Sequence, residues 1–230
     1  TSIWRMTRQG SMISTGMSPR SASPELAGEW ICHRVNTAAE LETLPREFGV
    51  EVDLRDQAGE LILSHDPFSL GEPFEDYLKL YAHGTMILNI KSERIEERVL
   101  SLLRRYDIRQ YFFLDSSFPM IVQLSRQGER RIALRYSEYE GLDTLRNMTG
   151  KVEWVWVDCF TRFPLDTSTA LELRAMGYKL CLVSPELQGR PEDIRFFREM
   201  CLRNSIRFDA ICTKMRFLKD WFTAVSNNAL

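Results

Sequence analysis

In the run Val50-Glu51-Val52-Asp53-Leu54, acidic and apolar residues alternate, so Glu51 and Asp53 share one face of a strand and the apolar residues share the other. With the apolar face turned toward covering helices, both carboxylates point into the domain, where an unpaired ion costs several kcal/mol. A hard cation such as Mg²⁺ or Ca²⁺ offsets that cost, because it takes carboxylate oxygens. An isolated Glu-x-Asp is more often the wet face of an amphipathic strand, so the neighbours decide. His33-Arg34 closes an earlier β-rich run, and His65-Asp66 follows a short hairpin after the acidic strand. Met86-Ile87-Leu88-Asn89-Ile90-Lys91 alternates again and aims Asn89 and Lys91 together. The chain has three histidines, and two of them fall beside the acidic pair, which suits a general acid and a general base flanking one leaving group. His83, in a helix-to-strand connection, reads as a surface or capping residue.

These groups need a scaffold that brings successive strand ends together. Eight β-rich runs are legible, at 30–35, 50–55, 85–91, 111–115, 131–137, 153–159, 178–184 and 209–214. Between them lie segments of helical spacing, the clearest at 93–106, 191–204 and 216–225. Helix-length crossovers imply parallel strands, and 230 residues suit one closed (β/α)8 TIM barrel, in which sites lie at the C-terminal ends of the strands. The competing topology is an open doubly wound sheet, but no GxGxxG or Walker sequence follows the first strand. Asp56-Gln57-Ala58-Gly59 and a short strand at 61–64 read as a turn excursion that returns His65 to the mouth. The barrel is expected as a single domain over 29–230, with residues 1–28, which show no sustained period, as an N-terminal arm or tail.

A formal net charge of -2 leaves no broad basic field, so nucleic acid is not an expected partner and any anion site is local. No run reaches the roughly 18 apolar residues of a membrane helix, and no signal peptide is apparent. The five cysteines, Cys32, Cys159, Cys181, Cys201 and Cys212, form no CxxC pair, and four of them fall in expected strands. That pattern favours buried reduced thiols and a cytoplasmic location.

His33-Arg34, Glu51-x-Asp53, the run from Gly59 to Pro67 and Lys91, in that order, resemble the signature of the glycerophosphodiester phosphodiesterase family. The motif covers residues 31 to 91, and the Phe208 to Thr213 run is similar to that family's last strand. The resemblance implies a TIM barrel that hydrolyses phosphodiesters, with small molecules or glycan or lipid head groups as partners. It implies metal binding by Glu51 and Asp53, acid and base roles for His33 and His65, and phosphate binding by Arg34 and Lys91. Three departures stand out. Val35 replaces a glycine, an acidic residue is missing before Asn36-Thr37, and Asn89 occupies the place of a third metal-binding carboxylate. Asn89 can still offer a neutral oxygen, and Asp115 and Asp158 are further acidic candidates at strand ends. Arg135 and Glu186 also fall at strand ends, where substrate recognition and simple loop contacts are equally open. Trp154 and Trp156 read as core. Two other functions stay open: a lyase of the same fold that stops at a cyclic phosphate, and an anion-binding module with a weakened metal site.

Overall fold

The computed structural model describes residues 26–222 and two short strands, Arg5–Met6 and Met12–Ile13, which pair antiparallel. Most of the expected arm therefore lies outside the described residues. Over residues 26–222 the chain is a (β/α)8 barrel. Its strands, first to eighth, are Ala27–Cys32, Gly49–Gln57, Met86–Ile90, Tyr111–Leu114, Ala133–Tyr136, Trp154–Val157, Lys179–Val183 and Phe208–Thr213. The first begins at Ala27, three residues before its expected start, because Leu26 and Ala27 are already buried core and Ala27 pairs with Phe208.

Neighbouring strands are parallel around the ring. The join between the fourth and fifth strands is the narrowest, a parallel bridge of Phe113 with Ile132 supported by the Phe113 N–H donating to the Arg131 carbonyl at 2.9 Å. With that bridge the sheet closes and no barrel edge is left to pair elsewhere.

Helices cover the outside because their apolar stripes match the outward residues of the strands. In Glu96–Arg105, Val99, Leu100 and Leu103 are buried, Glu96 and Glu97 occupy the first turn, and Arg104 and Arg105 the last, complementing the helix dipole. The helix expected at 191–204 begins instead with a 3-10 turn, Pro191–Asp193, and becomes α-helical over Ile194–Arg203. The last one follows the same plan, with Met215–Phe217 leading into Leu218–Phe222, and positions 223–225 of its expected span lie outside the described residues. Inside the barrel Phe112 stacks on Trp154 with ring centroids 4.4 Å apart, and Trp154 and Trp156 are both buried, as their alternation predicts. All five cysteines are buried free thiols. Among the described residues no helix is long and apolar enough to cross a membrane.

Two local devices aim the mouth. Thr37 forms a reciprocal capping box with Glu40 at the start of the helix Ala38–Thr43, which fixes the short path after the first strand. Ala58 and Gly59 both adopt positive φ, +49° and +87°, in the two-residue turn joining the second strand to the antiparallel strand Glu60–Leu63. That turn geometry matches the twist of a hairpin and sends the chain back toward the barrel mouth at His65.

Candidate active site

Glu51 and Asp53 are fully buried on the second strand, alongside Val50, Val52 and Leu54. Parallel register sets Asp53 beside Asn89 on the third strand. Glu51 Oε1 accepts from Asn89 Nδ2 at 2.8 Å, and Glu51 Oε2 accepts from the Arg34 backbone N–H at 2.8 Å. Burial first, and the facing Asp53 second, push the Glu51 carboxyl up to about 7. A close pair of buried carboxylates resists double ionisation unless positive charge is near.

That charge comes from two side chains that the sequence places nearby. Lys91 Nζ lies 3.7 Å from Asp53 Oδ1, and Arg34 Nε lies 3.7 Å from Asp53 Oδ2. Arg34 sits at φ +56°, just beyond the end of the first strand, where a non-glycine residue pays a local strain of about 1–3 kcal/mol. Its backbone N–H is thereby aimed at Glu51 and its guanidinium at His65 Nε2, to which it donates.

The two histidines differ in surroundings. His33 is mostly buried, its Nε2 3.7 Å from Glu51 Oε2 and its Nδ1 without a partner. Desolvation, followed by the positive charges of Arg34 and Lys214, holds its pKa down to about 3, so the ring is neutral near pH 7. His65 is more exposed, and its Nδ1 donates to the Asp66 carboxylate at 2.8 Å. With Nδ1 carrying the proton, Nε2 keeps its lone pair for Arg34. Of the two, only His65 has a carboxylate hydrogen-bonded to its Nδ1.

Two residues not singled out as site residues complete the frame. Asn36 Nδ2 donates to Asp53 Oδ2 at 2.9 Å while its Oδ1 accepts from the Asp53 backbone N–H at 2.8 Å, locking that carboxylate from both sides. Arg55 reaches the His65 carbonyl from Nε and Nη2 at 3.2 and 2.8 Å, and the Lys91 carbonyl from Nη1 at 3.0 Å. The signal for Arg55 was present, since it continues the i, i+2, i+4 face of Glu51 and Asp53. Its task, tying the hairpin loop to the third strand, depends on tertiary structure.

Further round the ring, Arg135 and Glu186 stand at strand ends as expected, but their charged atoms are already engaged. Arg135 donates to both Asp115 oxygens at 2.8 and 2.9 Å and to Asp158 Oδ2 at 2.6 Å. Lys91 Nζ lies 3.6 Å from Asp115 Oδ2, so charges alternate from Asp53 through Lys91, Asp115 and Arg135 to Asp158. Asp158 also accepts from Gln188 and from the Cys159 N–H, each at 2.8 Å, which leaves neither acid free beside Glu51. Glu186 is buried and accepts from Ser184, from Thr213 at 2.6 Å and from the Lys214 N–H at 3.1 Å, joining the seventh and eighth strand ends. His83 donates through Nε2 to the Leu44 carbonyl at 3.1 Å, capping a helix end as expected.

The oxygens left over suit a hard cation. Asp53 Oδ1 and Asn89 Oδ1 are buried with no hydrogen-bond partner, a costly state for two acceptors next to Glu51. Among the described residues no group of three or more His, Cys, Asp or Glu is arranged to hold a metal, so the third oxygen would come from the Asn89 amide.

No family model matches the chain, and no curated protein sequence matches it. Solved structures do. A glycerophosphoryl diester phosphodiesterase from Agrobacterium tumefaciens superposes with a TM-score of 0.62 at 13% identity, covering 84% of this chain and 96% of that one. A glycerophosphodiester phosphodiesterase from the same organism gives 0.59 at 14% identity, covering 84% and 99%. A glycerophosphoryl diester phosphodiesterase from Parabacteroides distasonis gives 0.61 at 11% identity, covering 90% and 91%. At such identities the likeness establishes the fold. This chain is a barrel of the kind those phosphodiesterases use.

Proposed function

We propose that the chain is a phosphodiester hydrolase of the glycerophosphodiester phosphodiesterase type, assisted by a divalent cation. The observation that carries this reading is the gathering of His33, Arg34, Glu51, Asp53, His65 and Lys91 at one barrel mouth, on a fold shared with solved phosphodiesterases. Glu51, Asp53 and the Asn89 oxygen would hold Mg²⁺ or Ca²⁺, which when bound supplies positive charge to the phosphoryl oxygens. Arg34 and Lys91 grip the phosphate as a planar fork and a point charge. His33, held neutral, is the base that takes a proton from the attacking hydroxyl or water. His65, protonated at Nε2 once Arg34 turns to the phosphate and with its Nδ1–H held by Asp66, gives that Nε2 proton to the leaving oxygen. The substrate is a glycerophosphodiester-like molecule, whether small molecule, glycan or lipid head group, and the location is cytoplasmic.

Turnover of a chromogenic phosphodiester with Mg²⁺, with Ca²⁺ and with EDTA tests the activity, and phosphorus NMR tells a hydrolysed product from an accumulating cyclic phosphate. One observation favours a second reading. The neutral amide of Asn89 and the nearby Lys91 weaken a cation site, which is what an anion-binding module without turnover would show.

Two further outcomes are expected. Arg55→Ala should lower turnover about 10- to 100-fold without unfolding the barrel, because it frees the His65 and Lys91 backbones from their shared anchor. Normal turnover in that variant removes Arg55 from the supporting frame.

Cation binding should also depend on pH. The raised Glu51 carboxyl binds its proton more tightly folded than unfolded, so its contribution to stability is present at low pH and is lost as pH rises through about 7. A cation must displace that proton, so affinity should fall about tenfold for each pH unit below neutrality. The rise in Tm caused by added Ca²⁺ should accordingly grow from mildly acidic to mildly alkaline pH. Equal rises at both ends would take Glu51 out of the ligand set.

A further inference from the structure

Exposed apolar side chains are spread unevenly over the barrel. Among the described residues nine large ones are exposed, and five of them, Phe68, Leu70, Phe118, Tyr139 and Phe160, follow the C-terminal ends of the second, fourth, fifth and sixth strands. They therefore ring the mouth that holds the candidate site. Leu80 and Leu202, in the last turns of Phe74–Leu80 and Ile194–Arg203, lie toward the opposite face and are far less exposed than Phe68 and Leu70.

Phe68 is the extreme case. It is fully exposed, Leu70 is 89% exposed, and both lie on the loop that begins at His65. The loop is held out by fixed ends. Arg55 grips the His65 carbonyl, and Gly71 lies so close to the Leu63 carbonyl that a Cβ there would come within 2.2 Å of its oxygen. Phe68 itself has φ +61°, a region that bulky residues rarely occupy. An aromatic side chain is thus displayed in water where a glycine or asparagine would sit more easily.

We propose that this rim docks onto a lipid bilayer, with Phe68 and Leu70 entering the interface, so that the site takes its phosphodiester from a membrane-held head group. The proposal rests on the phosphodiesterase reading for its substrate but not for its docking surface. Three features favour a membrane over a protein partner. Phe68 and Leu70 stand almost wholly in solvent, and the pocket beside Tyr139 on the same rim is lined by Ser137, Glu138, Arg146 and Arg162, which suits no apolar segment of chain. The exposed Arg162 beside Phe160 and the exposed Asp66 two residues before Phe68 give the rim both signs of charge, matching a zwitterionic head-group layer. The net charge of -2 leaves apolar insertion as the leading attraction, so neutral lipid should suffice.

The test is sedimentation of the full chain with phosphatidylcholine vesicles, with and without phosphatidylglycerol. The chain should partition onto both, and the Phe68→Ser/Leu70→Ser double variant should partition about 10- to 100-fold less, since burying each side chain is worth about tenfold in affinity. The same variant should hydrolyse a water-soluble bis(4-nitrophenyl) phosphate at the unaltered rate and lose turnover only on vesicle-held phosphodiesters. Phe68→Trp supplies a direct readout when it is placed in a Trp4→Phe background, because Trp30, Trp154, Trp156 and Trp221 are already buried and a blue shift on adding vesicles then reports position 68. Failure to sediment, equal sedimentation of the double variant, or no blue shift overturns the proposal. So does self-association that Phe68→Ser/Leu70→Ser abolishes in the absence of any vesicle binding. A chain that cleaves the soluble diester without binding vesicles loses only the docking proposal, whereas one that binds vesicles through Phe68 but cleaves no diester loses only the hydrolase reading.

Discussion

His65→Ala is expected to lower kcat by about 10² to 10⁴ while leaving KM nearly unchanged, and His33→Ala is expected to do the same. Proton transfer is made in the transition state, whereas ground-state phosphate binding rests on Arg34 and Lys91, so the loss belongs in kcat. The two variants should part company when the leaving group is changed. A diester with a good leaving group needs little protonation, so it should rescue His65→Ala, which lacks the acid, and leave His33→Ala impaired. The asymmetry follows from the surroundings, since Asp66 backs the His65 ring while burial, Arg34 and Lys214 keep His33 neutral. Rescue of His33→Ala instead would reverse the two roles. If neither variant loses kcat, or each loses only KM, the acid and base assignment fails and the anion-binding reading takes its place.

Glu51→Gln is expected to lower cation-dependent turnover by about 10³-fold or more, because several kcal/mol of charge stabilisation depends on the ion it helps to hold. The fold should tolerate the change. Glu51 accepts from Asn89 Nδ2 and from the Arg34 N–H, and a flip of the Asn89 amide lets its unpartnered Oδ1 accept from the new Gln amide. Removing the charge also ends the repulsion from Asp53 that raises the Glu51 carboxyl. The cation-free variant should therefore melt no lower than the parent, while the rise in Tm with Mg²⁺ or Ca²⁺ disappears. Thermal melts and initial rates with and without EDTA read both effects. Parent-like turnover together with a parent-like cation response would remove Glu51 from the site.

Taken alone, the sequence determined the parts whose signal is local. The period-two alternation in Val50 to Leu54 and in Met86 to Lys91 put Glu51, Asp53, Asn89 and Lys91 on the correct face, because a strand has only two faces and burial selects one. Repetition of strand and helix periods implied parallel pairing and the barrel. Asp56-Gln57-Ala58-Gly59 marked the hairpin that returns His65, although Asp56 and Gln57 prove to be strand and the turn itself is Ala58-Gly59, both at positive φ. The start of the first strand was missed because Leu26, Ala27 and Gly28 carry little β signal and become strand only by pairing with the eighth, which lies far along the chain.

Tertiary structure alone decided who partners whom. Arg135 left substrate recognition and a loop contact equally open, and it is clamped by Asp115 and Asp158, which are 20 and 23 residues away and reach it through the pairing of the strands on either side. Glu186 is likewise taken up by Thr213 and Lys214 from the eighth strand end. The opposite environments of His33 and His65 are equally invisible in one dimension, because desolvation and the field of Arg34, Lys91 and Lys214 are sums over groups from several strands. Residue type and spacing set which side faces the barrel axis. Which charges meet there, and hence which remain free for chemistry, is decided by which strands become neighbours in the ring.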